Sequence, residues 1–181
     1  MSLTNSNERY GALSIGIHWL MFLIIVMTFA SIELRDLFEK GTEARDFMKT
    51  IHFTLGLTIL ALVIVRLFIM LPQRQPVILP TPDDRLQKVA KAMKVSLYLF
   101  MFAMPILGWL ILSGADKSIP FYGFDLPALI EPNKDLAHTI KEVHEFLGEI
   151  GYWLIGIHAA AALFHHYVLK DNTLKRILPK K

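Results

Sequence analysis

A chain of 181 residues, 54% of them apolar, with a mean hydropathy of +0.44, has the length of one domain. Its apolar content exceeds what a soluble domain of that size needs, which points to lipid as its solvent. The absence of cysteine excludes disulfides, zinc–thiolate sites, iron–sulfur clusters and covalently attached haem. A formal net charge of +3, evenly spread and without a basic stripe interleaved with aromatics, argues against a nucleic-acid partner.

Hydrocarbon about 30 Å thick needs roughly 20 apolar helical residues, and four stretches meet that need, at about 12–34, 50–71, 91–113 and 146–169. They predict a single membrane domain over residues 1–181. The first stretch differs from a cleavable leader: its apolar run is long, and Thr28–Phe29–Ala30–Ser31 is a poor cleavage site, so it is expected to be retained.

With an even number of spans both termini share a side. The terminal segments and second loop carry Arg9, Arg74, Arg85, Lys88, Lys91, Lys170, Lys175, Arg176, Lys180 and Lys181. The other two loops carry Arg35, Lys40, Arg45, Lys49, Lys117, Lys134 and Lys141. The larger first group, and the basic tail lying directly against the last span, place both termini in the cytoplasm by the positive-inside rule.

The loop at 72–90, with Pro72, Pro76, Pro80 and Pro82, cannot be helical throughout and reads as a stiff connector. The loop from about 114 to 145 is long for a connection. Its Pro120-Phe-Tyr-Gly-Phe-Asp-Leu-Pro127 segment carries aromatic residues suited to a membrane interface. It is expected to cap the outer end of the bundle.

Ionisable side chains inside a span are costly, so each intramembrane histidine needs a function or a partner. His18 and His158 fall about 9 and 16 Å from the inner surface at about 1.5 Å of rise per residue, a gap that helix tilt can close. His52 opens the second span and His144 immediately precedes the fourth, so both belong at the outer surface. Along the last helix, His144 and His158 are separated by about 21 Å of rise and lie within about 40° of the same face. One helix can thus serve two stacked haems, an inner one between His18 and His158 and an outer one between His52 and His144.

Local sequence repeats this pairing. His18 and His158 each end an Ile-Gly-Ile-His tetrapeptide, and His52 and His144 each begin a His-x-x-Leu-Gly pentapeptide. Glycine about one turn from a ligand leaves room for a flat macrocycle between helices. The competing reading is that some of these histidines only make interhelical hydrogen bonds or sit in wet interfacial positions. Two axial histidines close both open positions of an iron, which favours electron carriage over oxygen binding.

The motifs Ile-Gly-Ile-His18-Trp-Leu, Lys-Thr-Ile-His52-Phe-Thr-Leu-Gly, Val-His144-Glu-Phe-Leu-Gly and Gly-Tyr-Trp-Leu-Ile-Gly-Ile-His158, with the ending Lys170-Asp-Asn-Thr-Leu, resemble the short bacterial branch of the cytochrome b561 family over nearly the whole chain. The resemblance implies an all-α integral membrane four-helix bundle with two stacked haems b in the bacterial inner membrane. By motif, the axial iron ligands fall on His18, His52, His144 and His158. It further implies a superoxide oxidase, an oxidoreductase taking electrons from periplasmic superoxide and passing them to ubiquinone, with membrane lipid, quinone and superoxide as partners and no protein partner required.

A positive patch of Arg45, Lys49 and Lys141, close in sequence to His52 and His144, is a candidate for steering the superoxide anion. Arg66, inside the second span, either pairs with a propionate of the inner haem or snorkels to headgroups. His165, two turns beyond His158, is open to three readings: a propionate contact, a proton donor to quinone, or a wet interfacial residue. His138 is expected to be solvated in the outer loop, and Pro105 to kink a third span that carries no ligand. No catalytic residue is assigned. An alternative function is a haem-bearing membrane anchor that relays electrons between a partner dehydrogenase or hydrogenase and quinone. A non-redox transporter would need more polar residues lining a path.

Overall fold

The computed structural model describes residues 2–179. Lys180 and Lys181, counted above in the charge tally, lie outside the described residues. Four long helices dominate: α1 (Ala12–Leu34), α2 (Glu43–Met70), α3 (Asp84–Gly114) and α4 (Lys134–Tyr167). A 3-10 turn at Arg35–Leu37 follows α1, and a two-stranded ribbon, β1 (Pro120–Phe121) with β2 (Phe124–Asp125), lies between α3 and α4. Each of the four helices is long and apolar enough to cross a membrane.

α1 keeps the expected limits, but α2, α3 and α4 begin well before the apolar stretches that announced them. The reason lies at their N-termini, where Thr42, Asp83 and Asn133 cap the first turns: their side-chain oxygens accept the backbone N–H of Arg45, Leu86 and Leu136. A capped helix runs on through charged residues into water, because its backbone bonds are internal and do not depend on lipid. His138 therefore stands on α4 rather than in a loop, and its side chain is 72% exposed. α3 continues through Pro105 as one helix.

The chain forms two compact units, each taking a segment from all four helices. The terminal unit comprises Met1–Leu20, Val63–Phe100 and Ile150–Lys181. Its end is stitched by backbone groups and small polar side chains. Asn5 Oδ1 accepts from the Gly11 amide and the Ser14 hydroxyl, and the Asn5 amide donates to Gln73 Oε1. Asn172 bonds Leu79 through backbone and side chain, while Arg176 donates to the Pro76 carbonyl. A side chain at Gly11 would run into the Leu3 and Thr4 carbonyls, so that crossing needs glycine.

The loop unit comprises Met21–Leu62 and Met101–Glu149. Its core gathers Leu57, Leu112 and Ile119, with Phe53, Trp109, Phe121 and Leu126 packed against them. Ile119, Phe121 and Leu126 of the segment after α3 thus pack against residues of α2 and α3, and that apolar burial holds the ribbon to these helices.

Candidate haem sites

In the terminal unit, α1 presents His18 and α4 presents His158, with ring centroids 6.5 Å apart and planes at 68°. In the loop unit, α2 presents His52 and α4 presents His144, with centroids 6.3 Å apart and planes at 77°. Neither separation suits a direct imidazole–imidazole hydrogen bond or a stack. A metal–nitrogen bond of about 2.0 Å, plus about 1.2 Å from nitrogen to ring centre, puts two imidazoles on opposite sides of one metal about 6.4 Å apart. Both pairs fit that distance.

Among the described residues no group of three or more His, Cys, Asp or Glu side chains converges on a metal-sized point. Two histidines alone would leave a bare ion undercoordinated, whereas a macrocycle supplies the four equatorial donors and needs only the two axial ones. The surroundings leave space for one. Side chains at Gly16, Gly56 and Gly156 would meet nothing within 4 Å. Gly148 would meet only the end of Met104, and Gly108 of α3 faces the His144 ring, 3.7 Å from where its Cβ would stand.

Tautomers follow from hydrogen bonds. Nδ1 of His52 lies 3.0 Å from the Thr28 carbonyl and donates to it. That leaves the lone pair of Nε2 for a metal and orients the ring, the arrangement metal-binding histidines favour. On the terminal unit, Arg66 donates from Nε to the Tyr98 hydroxyl at 3.1 Å, while its buried NH1 has no partner. A buried guanidinium N–H lacking an acceptor fits a carboxylate, such as a haem propionate, better than a group snorkelling to headgroups.

His165 is mostly covered by protein. It pairs with Asp171 at 2.5 Å, with only 14% and 3% of the two side chains exposed. Burial alone would raise the Asp171 pKa, but the bonds from His165 and the Thr173 amide outweigh it and hold the carboxyl below its usual range. The candidate steering cations are also engaged. Arg45 pairs with Asp36 and donates to the Arg35 and Phe38 carbonyls. Lys49 pairs with Asp46 at 2.7 Å, and Lys141 with Glu145 at 2.8 Å. Each cation thus lies beside a carboxylate, although Asp36 is shared between Arg45 and Arg35.

Tyr98, Asp171 and the Thr28 carbonyl were not singled out in the sequence. Tyr98 and Thr28 lie 32 and 24 positions from their partners, and a backbone carbonyl carries no sequence signal. Asp171, six residues after His165, was the one that spacing could have suggested.

Four membrane-spanning helices presenting two histidine pairs at axial-ligand distance define the class: a helical membrane cytochrome. The family model for prokaryotic cytochrome b561 matches residues 9–180, and the chain belongs to that family, whose fold is a membrane helical bundle and whose members carry haem for electron transport. It is 41% identical over 175 residues, 97% of this chain and 98% of the relative, to "Probable superoxide oxidase CybB" of Yersinia pestis. It is 38% identical over 174 residues to "Cytochrome b561 homolog 1" of Escherichia coli strain K12, covering 96% of this chain and 99% of that one. With "Cytochrome b561 homolog 2" of the same strain it shares 31% over 188 residues, covering 99% and 96%.

Proposed function

We propose that this protein is a superoxide:quinone oxidoreductase of the bacterial inner membrane, with both termini in the cytoplasm and the loop unit facing the periplasm. Two superoxide anions yield two dioxygen molecules and two electrons, which with two protons convert a quinone, ubiquinone by family resemblance, to its quinol. Bound haem b supplies the one-electron carriage between these half-reactions. His52 and His144 hold one haem iron on the loop unit, and His18 and His158 hold a second on the terminal unit. The Thr28 carbonyl fixes the His52 ring, and Arg66, itself held by Tyr98, anchors a propionate of the second haem. The observation that carries the reading is the His52–His144 pair at 6.3 Å, beside the likeness to the Yersinia protein whose name assigns it superoxide oxidation.

The reaction is tested by mixing the oxidised holoprotein anaerobically with potassium superoxide and a ubiquinone analogue. Reduction of the haem α band followed by quinol formation is expected. A protein that superoxide leaves oxidised, but that accepts electrons from a soluble dehydrogenase, would belong to the relay class instead.

Sidedness has its own test. Cysteines introduced at Glu43 and Glu131 are expected to react with an impermeant thiol reagent in intact cells, while one at Gln75 stays unlabelled; the reverse pattern inverts the orientation. Because Arg45, Lys49 and Lys141 are paired, the rate of haem reduction by superoxide is expected to change by no more than about twofold as the Debye length falls from about 30 to 10 Å. A steep fall with salt would mean that a positive field not seen in these pairs guides the anion.

A further inference from the structure

Pro120–Asp125 forms a tight hairpin, pairing Pro120 with Asp125 and Phe121 with Phe124. Its turn residues Tyr122 (φ 48°) and Gly123 (φ 87°) both lie in the left-handed region, as a type I′ turn requires. Three hydrogen bonds bind the ribbon and its flanks to α2 and α3, and a fourth joins the two flanks to each other. Thr54 donates to the Pro120 carbonyl at 3.3 Å, and the Tyr122 hydroxyl meets Thr58 Oγ1 at 3.1 Å. Trp109 Nε1 donates to the Pro127 carbonyl at 2.9 Å, and the Leu126 amide to the Ile119 carbonyl at 2.9 Å.

These bonds fix how far the hairpin reaches. His52 and His144 face each other, and α2 and α4 both run away from their loops. Thr58 comes six residues after His52, about 9 Å along the helix. On α4, exposed Glu145 and Glu149 still follow His144, and the run free of Asp, Glu, Lys and Arg opens six residues after it, at Ile150, and lasts to Leu169. The helical part of that run, ending at Tyr167, rises about 27 Å at 1.5 Å per residue, close to the thickness of the hydrocarbon layer. The phenol of Tyr122 thus reaches the level where the hydrocarbon begins. The outward face is apolar there, Phe124 being 75% and Tyr122 63% exposed. The Tyr122 hydroxyl turns onto Thr58 rather than outward, and the carbonyls of Pro120 and Pro127 are satisfied by helix side chains. Non-helical backbone is tolerated at membrane depth when protein groups satisfy it in this way.

We infer that the Pro120–Asp125 hairpin is an interfacial anchor, seated among the glycerol and upper acyl groups of phospholipid in the leaflet nearest His52 and His144. Tyr122 and Phe124 are its contacts with lipid. Held there, it fixes the depth of the loop unit at the His52–His144 end of the spans. The inference does not depend on which substrate the protein oxidises.

Because the chain contains no cysteine, a single Phe124→Cys variant takes one nitroxide label, and Glu131→Cys gives a water-side reference. The holoprotein in phospholipid nanodiscs is probed for collisions with dissolved oxygen and with a water-soluble nickel chelate, an unchanged haem spectrum confirming the fold. At 124 the ratio of oxygen to nickel collisions is expected to exceed that at 131 severalfold. Equal nickel access at the two sites would overturn the inference in favour of an aqueous loop. Shielding of 124 from both reagents would overturn it in favour of a surface covered by protein.

Discussion

Replacing His52 by alanine is expected to remove one haem per chain and leave the other, with the same result for His144→Ala. The reason is geometric. On the proposed ligation, the 6.3 Å pair on the loop unit and the 6.5 Å pair on the terminal unit would each form a closed axial set, so losing one imidazole would open one iron and leave the other ligated. His18→Ala and His158→Ala are expected to remove the second haem, with a different residual spectrum and midpoint potential. If His52→Ala and His18→Ala left the same residual spectrum, the pairing would be wrong.

The second large effect is on turnover. In His52→Ala, superoxide-driven quinol formation is expected to fall about 100-fold or more, because the site nearest the aqueous donor has lost its iron. The haem between His18 and His158 should remain reducible by dithionite. Steady-state quinol formation and the dithionite-reduced spectrum, measured on one preparation, separate this from a folding failure. A variant that kept near-parental turnover would mean that superoxide delivers its electron elsewhere.

Much of this was legible in the sequence, because the physics of a membrane span is local. Twenty apolar residues declare themselves in a window, and a histidine within or beside them stands out. Depth and the repeated Ile-Gly-Ile-His and His-x-x-Leu-Gly segments grouped His18 with His158 and His52 with His144, and the rings of these groups lie 6.5 and 6.3 Å apart. The water-exposed first turns of α2, α3 and α4 were not legible in apolar content, because capping by Thr42, Asp83 and Asn133 decides where those helices start. The hairpin itself was not legible because it depends on Thr54, Thr58 and Trp109 meeting a segment far along the chain. The partners of the candidate steering cations were not legible for a similar reason: counting charges cannot show that Arg45 is turned onto Asp36 and two carbonyls, or that each lysine has a carboxylate beside it.

Everything proposed for catalysis rests on two irons, each held between one named pair of histidines. The most direct measurement is the haem content of the purified protein by pyridine haemochrome, set against chain concentration from amino-acid analysis, with the oxidised protein's electron paramagnetic resonance spectrum recorded beside it. Two haems b per chain, both low-spin as bis-histidine ligation requires, are the predicted result. One haem per chain, or a high-spin signal from a five-coordinate iron in the unaltered protein, would contradict it.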